Sequence, residues 1–108
     1  MNDAGNRQAK REAFLMEEAR LIILKELAQD VSGSATSSWL EAVIRDEFMI
    51  PRDRAWVHRQ LDYLAEMGAV AVKDAGTVKV ATLLHAGRRH VNREIAIEGV
   101  KRPSDPVA

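Results

Sequence analysis

Trp56-Val57-His58-Arg59-Gln60-Leu61-Asp62-Tyr63-Leu64-Ala65-Glu66-Met67-Gly68-Ala69-Val70 reads as a helix that ends at a glycine and runs directly into a strand. Val57, Leu61 and Leu64 recur at three- and four-residue spacing, which lines one helical face with apolar side chains and leaves His58, Arg59, Asp62 and Glu66 on the other. Gly68 sits just past the last periodic residue, where a glycine can take the left-handed conformation that closes a helix. Ala69-Val70-Ala71-Val72 beyond it has the short apolar character of a strand, and Asp74-Ala75-Gly76-Thr77 is a turn between Val70–Lys73 and Val78–Leu83. A β-hairpin therefore follows this helix at once.

Upstream, Pro51 restricts Ile50 to extended backbone and suits the first turn of the glycine-terminated helix, with Asp53 favourable at that end through the helix dipole. A second helix precedes it. Ser38-Trp39-Leu40-Glu41 has the spacing of a capping box, and Leu40, Val43, Ile44 and Phe48 point one way before the helix stops near Met49. Val31 to Ser37, rich in Ser, Gly and Thr, reads as a loop. From Lys10 to about Asp30 there is neither proline nor glycine, and charged residues alternate with Leu15, Ala19, Ile22, Ile23 and Leu27 in the manner of a long amphipathic helix. Phe14, Met16, Leu21 and Leu24 widen its apolar surface beyond one core contact, which points either to a homodimer seam or to a small domain wrapped around its longest helix.

Residues 1–9 are polar and expected to be a flexible N-terminus. Beyond the hairpin, Leu83 to Arg93 can form a short fourth helix with Thr82 as its cap, although Gly87 weakens it. Residues 95–108 carry Gly99, Pro103 and Pro106 and read as an extended tail. The expected architecture is α+β, mainly α: a winged helix-turn-helix domain over residues 10–94 with three helices, a hairpin wing, a short C-terminal helix and the tail.

Composition narrows function. Of 108 residues, 46% are apolar and 30% charged, as in an ordinary soluble domain, and there is no cysteine. Disulfides, thiolate nucleophiles and sulfur-ligated metals are thereby excluded. The longest apolar run, Leu21 to Leu24, cannot span a bilayer and Met1-Asn2-Asp3-Ala4 opens no hydrophobic signal, so a cytoplasmic protein is expected. Net charge is zero, which disfavours non-specific DNA binding, but residues 1–50 hold six Lys/Arg against nine Asp/Glu and residues 51–108 hold ten against seven.

The run Val57 to Val70 resembles the reading helix and first wing strand of ArsR-like winged-helix regulators. Val80-Ala81-Thr82-Leu83 closing the hairpin, Gly87, and Gly99-Val100-Lys101-Arg102-Pro103-Ser104 near the end are similar to small winged-helix proteins of Mu-like phages and prophages, over nearly everything from Arg20 to Pro106. That resemblance implies a phage-encoded, DNA-associated protein. It also implies a threonine cap for the last helix where this chain has Leu84.

In a helix-turn-helix, residues near the amino end of the second helix reach base edges while flanking cations hold phosphates. Arg52, Arg54, His58 and Arg59 are placed for this; Lys73 and Lys79 in the wing, and Arg88 and Arg89 after it, suit backbone contact. Lysines on an edge strand also deter aggregation, a structural reason for the same residues. Asp62 and Glu66 confine any contact to the first two turns. Trp56, Tyr63 and Met67 lie a quarter turn away and either close the core against the hairpin or offer a partner surface; Trp39 reads as packing.

No enzyme is expected. His58, His85 and His90 lack the i, i+4 spacing of a helical metal site, and neither a nucleophile elbow nor a phosphate loop occurs. No cofactor, metal or small-molecule ligand is implied. The sequence thus points to a dimeric transcriptional regulator that binds double-stranded DNA, paired through its first helix. The alternative is a non-catalytic adaptor that uses the same scaffold to hold another phage protein in assembly or DNA packaging.

Overall fold

Helix α1 (Asp3–Gln29) is the longest element of the computed structural model, which describes residues 3–104. It is followed by β1 (Ser34–Thr36), α2 (Ser37–Phe48), α3 (Arg54–Glu66), β2 (Val70–Ala75), β3 (Val78–Leu83) and α4 (His85–Val91). The fold is α+β and mainly helical, with the strands in one antiparallel sheet ordered β1-β3-β2. No helix among the described residues is long and apolar enough to cross a membrane.

The core forms where the helical stripes meet. Ile23, Leu24 and Leu27 of α1 are fully buried against Leu40 and Ile44 of α2, Leu61 and Leu64 of α3, and Val70 and Ala81 of the sheet. Each fully buried branched side chain contributes roughly 1.5–3 kcal/mol, so the apolar periodicity decides the packing. Helix α3 ends as its sequence requires: Gly68 has φ +75, its N–H bonds Ala65 O, and the Ala69 N–H reaches back to Leu64 O.

Four local expectations are corrected. The second helix is capped by Thr36, whose Oγ1 accepts from the Trp39 N–H at 3.2 Å, and not by Ser38; Ser37 is instead buried, because residues 34–36 leave the loop to pair with β3. Pro51 lies outside α3. Asp53 is its N-cap and accepts from the Trp56 N–H at 2.9 Å. Thr82 caps nothing, since its hydroxyl bonds Ser34 across the sheet at 2.7 Å, and α4 starts at His85 after Leu84 without a side-chain cap. Gly87, read as a weakness in that helix, is what allows α4 to sit where it does, because a Cβ there would run into the Ala69 carbonyl and Leu83.

Both ends differ from expectation more deeply. Helix α1 is described from Asp3, so residues 3–9 of the stretch expected to be loose are helical, yet residues 3–11 are exposed on every side. The tail, described as far as residue 104, forms no helix or strand of its own, as expected, but it is not free. It crosses α1, α3 and α4 as a strap, with Ile97 and Val100 in the core. Lys101 N–H bonds Glu17 O at 3.1 Å, Tyr63 donates to Glu98 O at 2.6 Å, and Arg20 donates to Gly99 O at 2.8 Å while lying 3.7 Å over the Tyr63 ring. Gly99, at φ +80, leaves no room for a Cβ against Tyr63. Fully buried His90 fixes the strap from below: its Nδ1 accepts from the Ile97 N–H at 3.0 Å, which leaves Nε2 to donate to Lys101 O at 2.9 Å.

Candidate nucleic-acid interface

The exposed side of α3 carries Ala55, Arg59, Asp62 and Glu66, between α1 on one flank and the hairpin on the other. Arg54, at the first residue of α3, is exposed and makes neither hydrogen bond nor ion pair with a described residue. Arg59 is exposed and coupled only electrostatically to Glu12. These two cations are available to an external anion.

Other members of the expected set have partners within the fold. Arg52 donates to Glu12 of α1 at 2.9 Å and lies 5.7 Å over the Trp56 ring, whose own N–H donates to the second oxygen of the same carboxylate at 2.6 Å. Those bonds from Arg52 and Trp56 hold the Glu12 carboxyl below its ordinary pKa, with Arg59 a lesser influence. Arg52 therefore joins α1 to α3. His58 turns its Nε2 to the buried Ser37 hydroxyl at 2.9 Å, and that hydroxyl also accepts the Lys79 backbone N–H at 2.9 Å, so His58 ties α3 to the start of α2 and to β3.

The wing lysines are separated by register. Lys73 is paired with Val80 and Lys79 with Asp74, and because side chains alternate along a strand the two lysines project from opposite faces of the hairpin. Lys79, on the α3 side, contacts Asp74 at 3.0 Å and Asp62 at 3.8 Å, and the hydrogen bond to Asp74, helped by both charges, raises its pKa. Lys73 is exposed on the outer face. Arg88 is also exposed, whereas Arg89 stands 3.6 Å from Glu94. Both arginines follow the base of the hairpin, where Val70 pairs with Leu83, about 13 Å along the strand from Lys79.

The fold thus brings Arg54 and Arg59 onto one helix but does not gather the eight residues over one surface. Acidic side chains occupy the intervening positions. Asp62 was visible as a neighbour on the same helix; Glu12 was not, because it lies forty residues from Arg52 in sequence. Three further exposed cations, Arg7, Lys10 and Arg11, were not among the expected site residues: Arg7 fell in the stretch expected to be loose, and Lys10 and Arg11 at the start of the expected long helix. The signal available was local: Ala4 and Ala9 favour helix and no proline interrupts the run.

Over 90 residues, comprising 83% of this chain and 92% of the relative, the sequence is 34% identical to the uncharacterized protein gp26 of Escherichia phage Mu. This chain belongs to the gp26 family. Membership places it among proteins of Mu-like phages. No family model matches the chain, and no solved structure does. For the gp26 family the site just described therefore has to be read from its own residues.

Proposed function

We propose that this gp26-family chain is a winged helix-turn-helix protein of the ArsR-like kind, acting as a phage regulator that touches double-stranded DNA through α3. The reading is supported by the order of its elements, with α2 and α3 joined by a short turn and β2 and β3 following as a wing. One observation carries it: Arg54 and Arg59 are exposed on either side of the small Ala55 without an ion pair to any described residue, whereas His58 of the same helix and the preceding Arg52 are committed to the fold. In this reading Arg52, His58, Lys79 and Arg89 are structural, and Lys73 and Arg88 are peripheral to the contact. A salt titration on duplex DNA tests it. Two phosphate contacts give a slope of log affinity on log salt of about −2, and a bidentate arginine–guanine pair adds roughly 1–3 kcal/mol of discrimination. Changing Arg54 and Arg59 together to Ala should abolish measurable binding, while Lys79→Ala should leave it unchanged; binding indifferent to the double substitution ends this reading.

A second reading is favoured by a different face. Trp39, in the first turn of α2, is 54% exposed with its N–H on Glu26, and Phe48 and Met49 are exposed at the other end of the same helix. Single exposed apolar residues are ordinary, but the adjacent large pair at the end of α2 suits a protein contact. Under this alternative the chain is a non-catalytic adaptor, and its DNA affinity is absent at all salt concentrations.

A further inference from the structure

The first third of helix α1 lies open to solvent. Residues 3–11 are exposed on every side although the helix continues unbroken to Gln29. Isolated helical turns are marginal in water, and most helical stability comes from packing one face. Along α1, Ala4, Arg7, Arg11, Phe14, Glu18, Leu21 and Lys25 follow one another at alternating spacings of three and four, which places them in a single stripe. The stripe is basic at its start, where Lys10 adds to Arg7 and Arg11. Phe14 stands 56% exposed in the middle. Beyond it the same side of the helix becomes the floor of a groove of about 260 Å³, with Leu21 and Ile22 at its base and Glu18, Glu26 and Glu47 on its rim.

We infer that the occupant of this groove is the α1 arm of a second copy of the chain, in an antiparallel two-fold pair centred on Phe14. The stripe reads as its own complement when reversed. With Phe14 beside Phe14 of the other copy, Arg11 meets Glu18, Arg7 lies over Leu21 and Ile22 between the Glu18 and Glu26 carboxylates, and Ala4 leaves space for Lys25. A two-fold axis makes each contact twice, as an isologous interface requires. Glu18 and Glu26 keep acceptor capacity for this: among the described residues Glu18 has only Lys101 at 3.9 Å, and Glu26 has only the Trp39 N–H. Lys101 already lies 5.5 Å from the Phe14 ring and walls the groove on the strap side. The pairing uses none of the α3 residues of the proposed DNA contact, so it stands or falls apart from that reading.

Sedimentation equilibrium without DNA tests it. The full chain should be dimeric at about 100 µM, Arg11→Glu should weaken association at least about 10-fold, and Arg11→Glu with Glu18→Arg should restore it. Because the chain has no cysteine, Phe14→Cys gives a second readout: mild oxidation should yield a disulfide-linked dimer, reversed by reductant. A wild-type chain that stays monomeric, a dimer indifferent to Arg11→Glu, a folded charge-swap variant that fails to reassociate, or a Phe14→Cys variant that does not crosslink would each overturn the proposal.

Discussion

The two ends of the described chain invert what their composition suggests. The C-terminal stretch holds Gly99 and Pro103, yet it is pinned to three helices, with Ile97 and Val100 buried and His90 bonded on both ring nitrogens. The N-terminal stretch is free of proline and helical from Asp3, yet residues 3–11 bury none of their side chains among the described residues. Regular secondary structure and tertiary attachment are separate properties. A glycine-containing strap can be held by side chains that satisfy its backbone, whereas a well-formed helix can lack any partner for its surface.

The contrast is broken most directly at His90. Replacing it with Leu keeps the volume but leaves the Ile97 N–H and the Lys101 carbonyl buried without partners, each such loss costing about 1–3 kcal/mol. His90→Leu should therefore lower unfolding free energy in urea by about 2–4 kcal/mol. His90→Gln, whose amide offers an acceptor and a donor, should recover part of that loss. An effect below about 0.5 kcal/mol, the range of ordinary surface changes, would mean the strap is not held as described.

A smaller effect separates the middle of α1 from its free arm. Glu12 is the first residue of α1 beyond the exposed stretch 3–11, and its carboxylate takes bonds from both Arg52 and Trp56. Since those bonds lower its pKa in the folded state, their stabilisation is complete above the unfolded value and is lost as pH falls through the folded one. Wild-type stability should then decline in acid below the ordinary carboxylate value of 4.5, and Glu12→Gln should flatten that decline while lowering stability at neutral pH. A parallel acid profile for the two proteins, followed by chemical denaturation at several pH values, would remove Glu12 from the account. The carboxylate is partly exposed, so screening keeps the difference modest.

These contrasts also explain which parts of the molecule could be read from sequence. Val57, Leu61 and Leu64 announce α3, Gly68 its end, and the Asp74–Thr77 turn the hairpin, because each depends on neighbours within a few residues. The order of the helices and hairpin strands and most of the apolar core follow from the same local signals, whereas β1 and the buried Ile97 and Val100 do not. The strap was hidden since its anchors are distant: Arg20 reaches Gly99 across 79 positions, and a buried histidine looks like any other in sequence. The partners of the candidate interface were hidden for the same reason in electrostatic form. Arg52 and Arg54 are equivalent as letters, but only Arg52 meets a carboxylate from α1, and only pairing register separates Lys73 from Lys79.

The smallest expected change is also the sharpest test of the comparison. Removing residues 1–11 takes away a third of α1 but, among the described residues, no buried side chain, so under dilute conditions unfolding free energy should shift by no more than about 0.5 kcal/mol. Helical signal in circular dichroism should fall in proportion to the residues removed, with the urea midpoint unchanged. A loss comparable to that of His90→Leu would show that the arm carries tertiary contacts within its own chain, and the distinction between the two ends would disappear. A negligible loss leaves the arm helical without local reward, which is the condition under which an external surface, rather than the fold, accounts for its charge pattern.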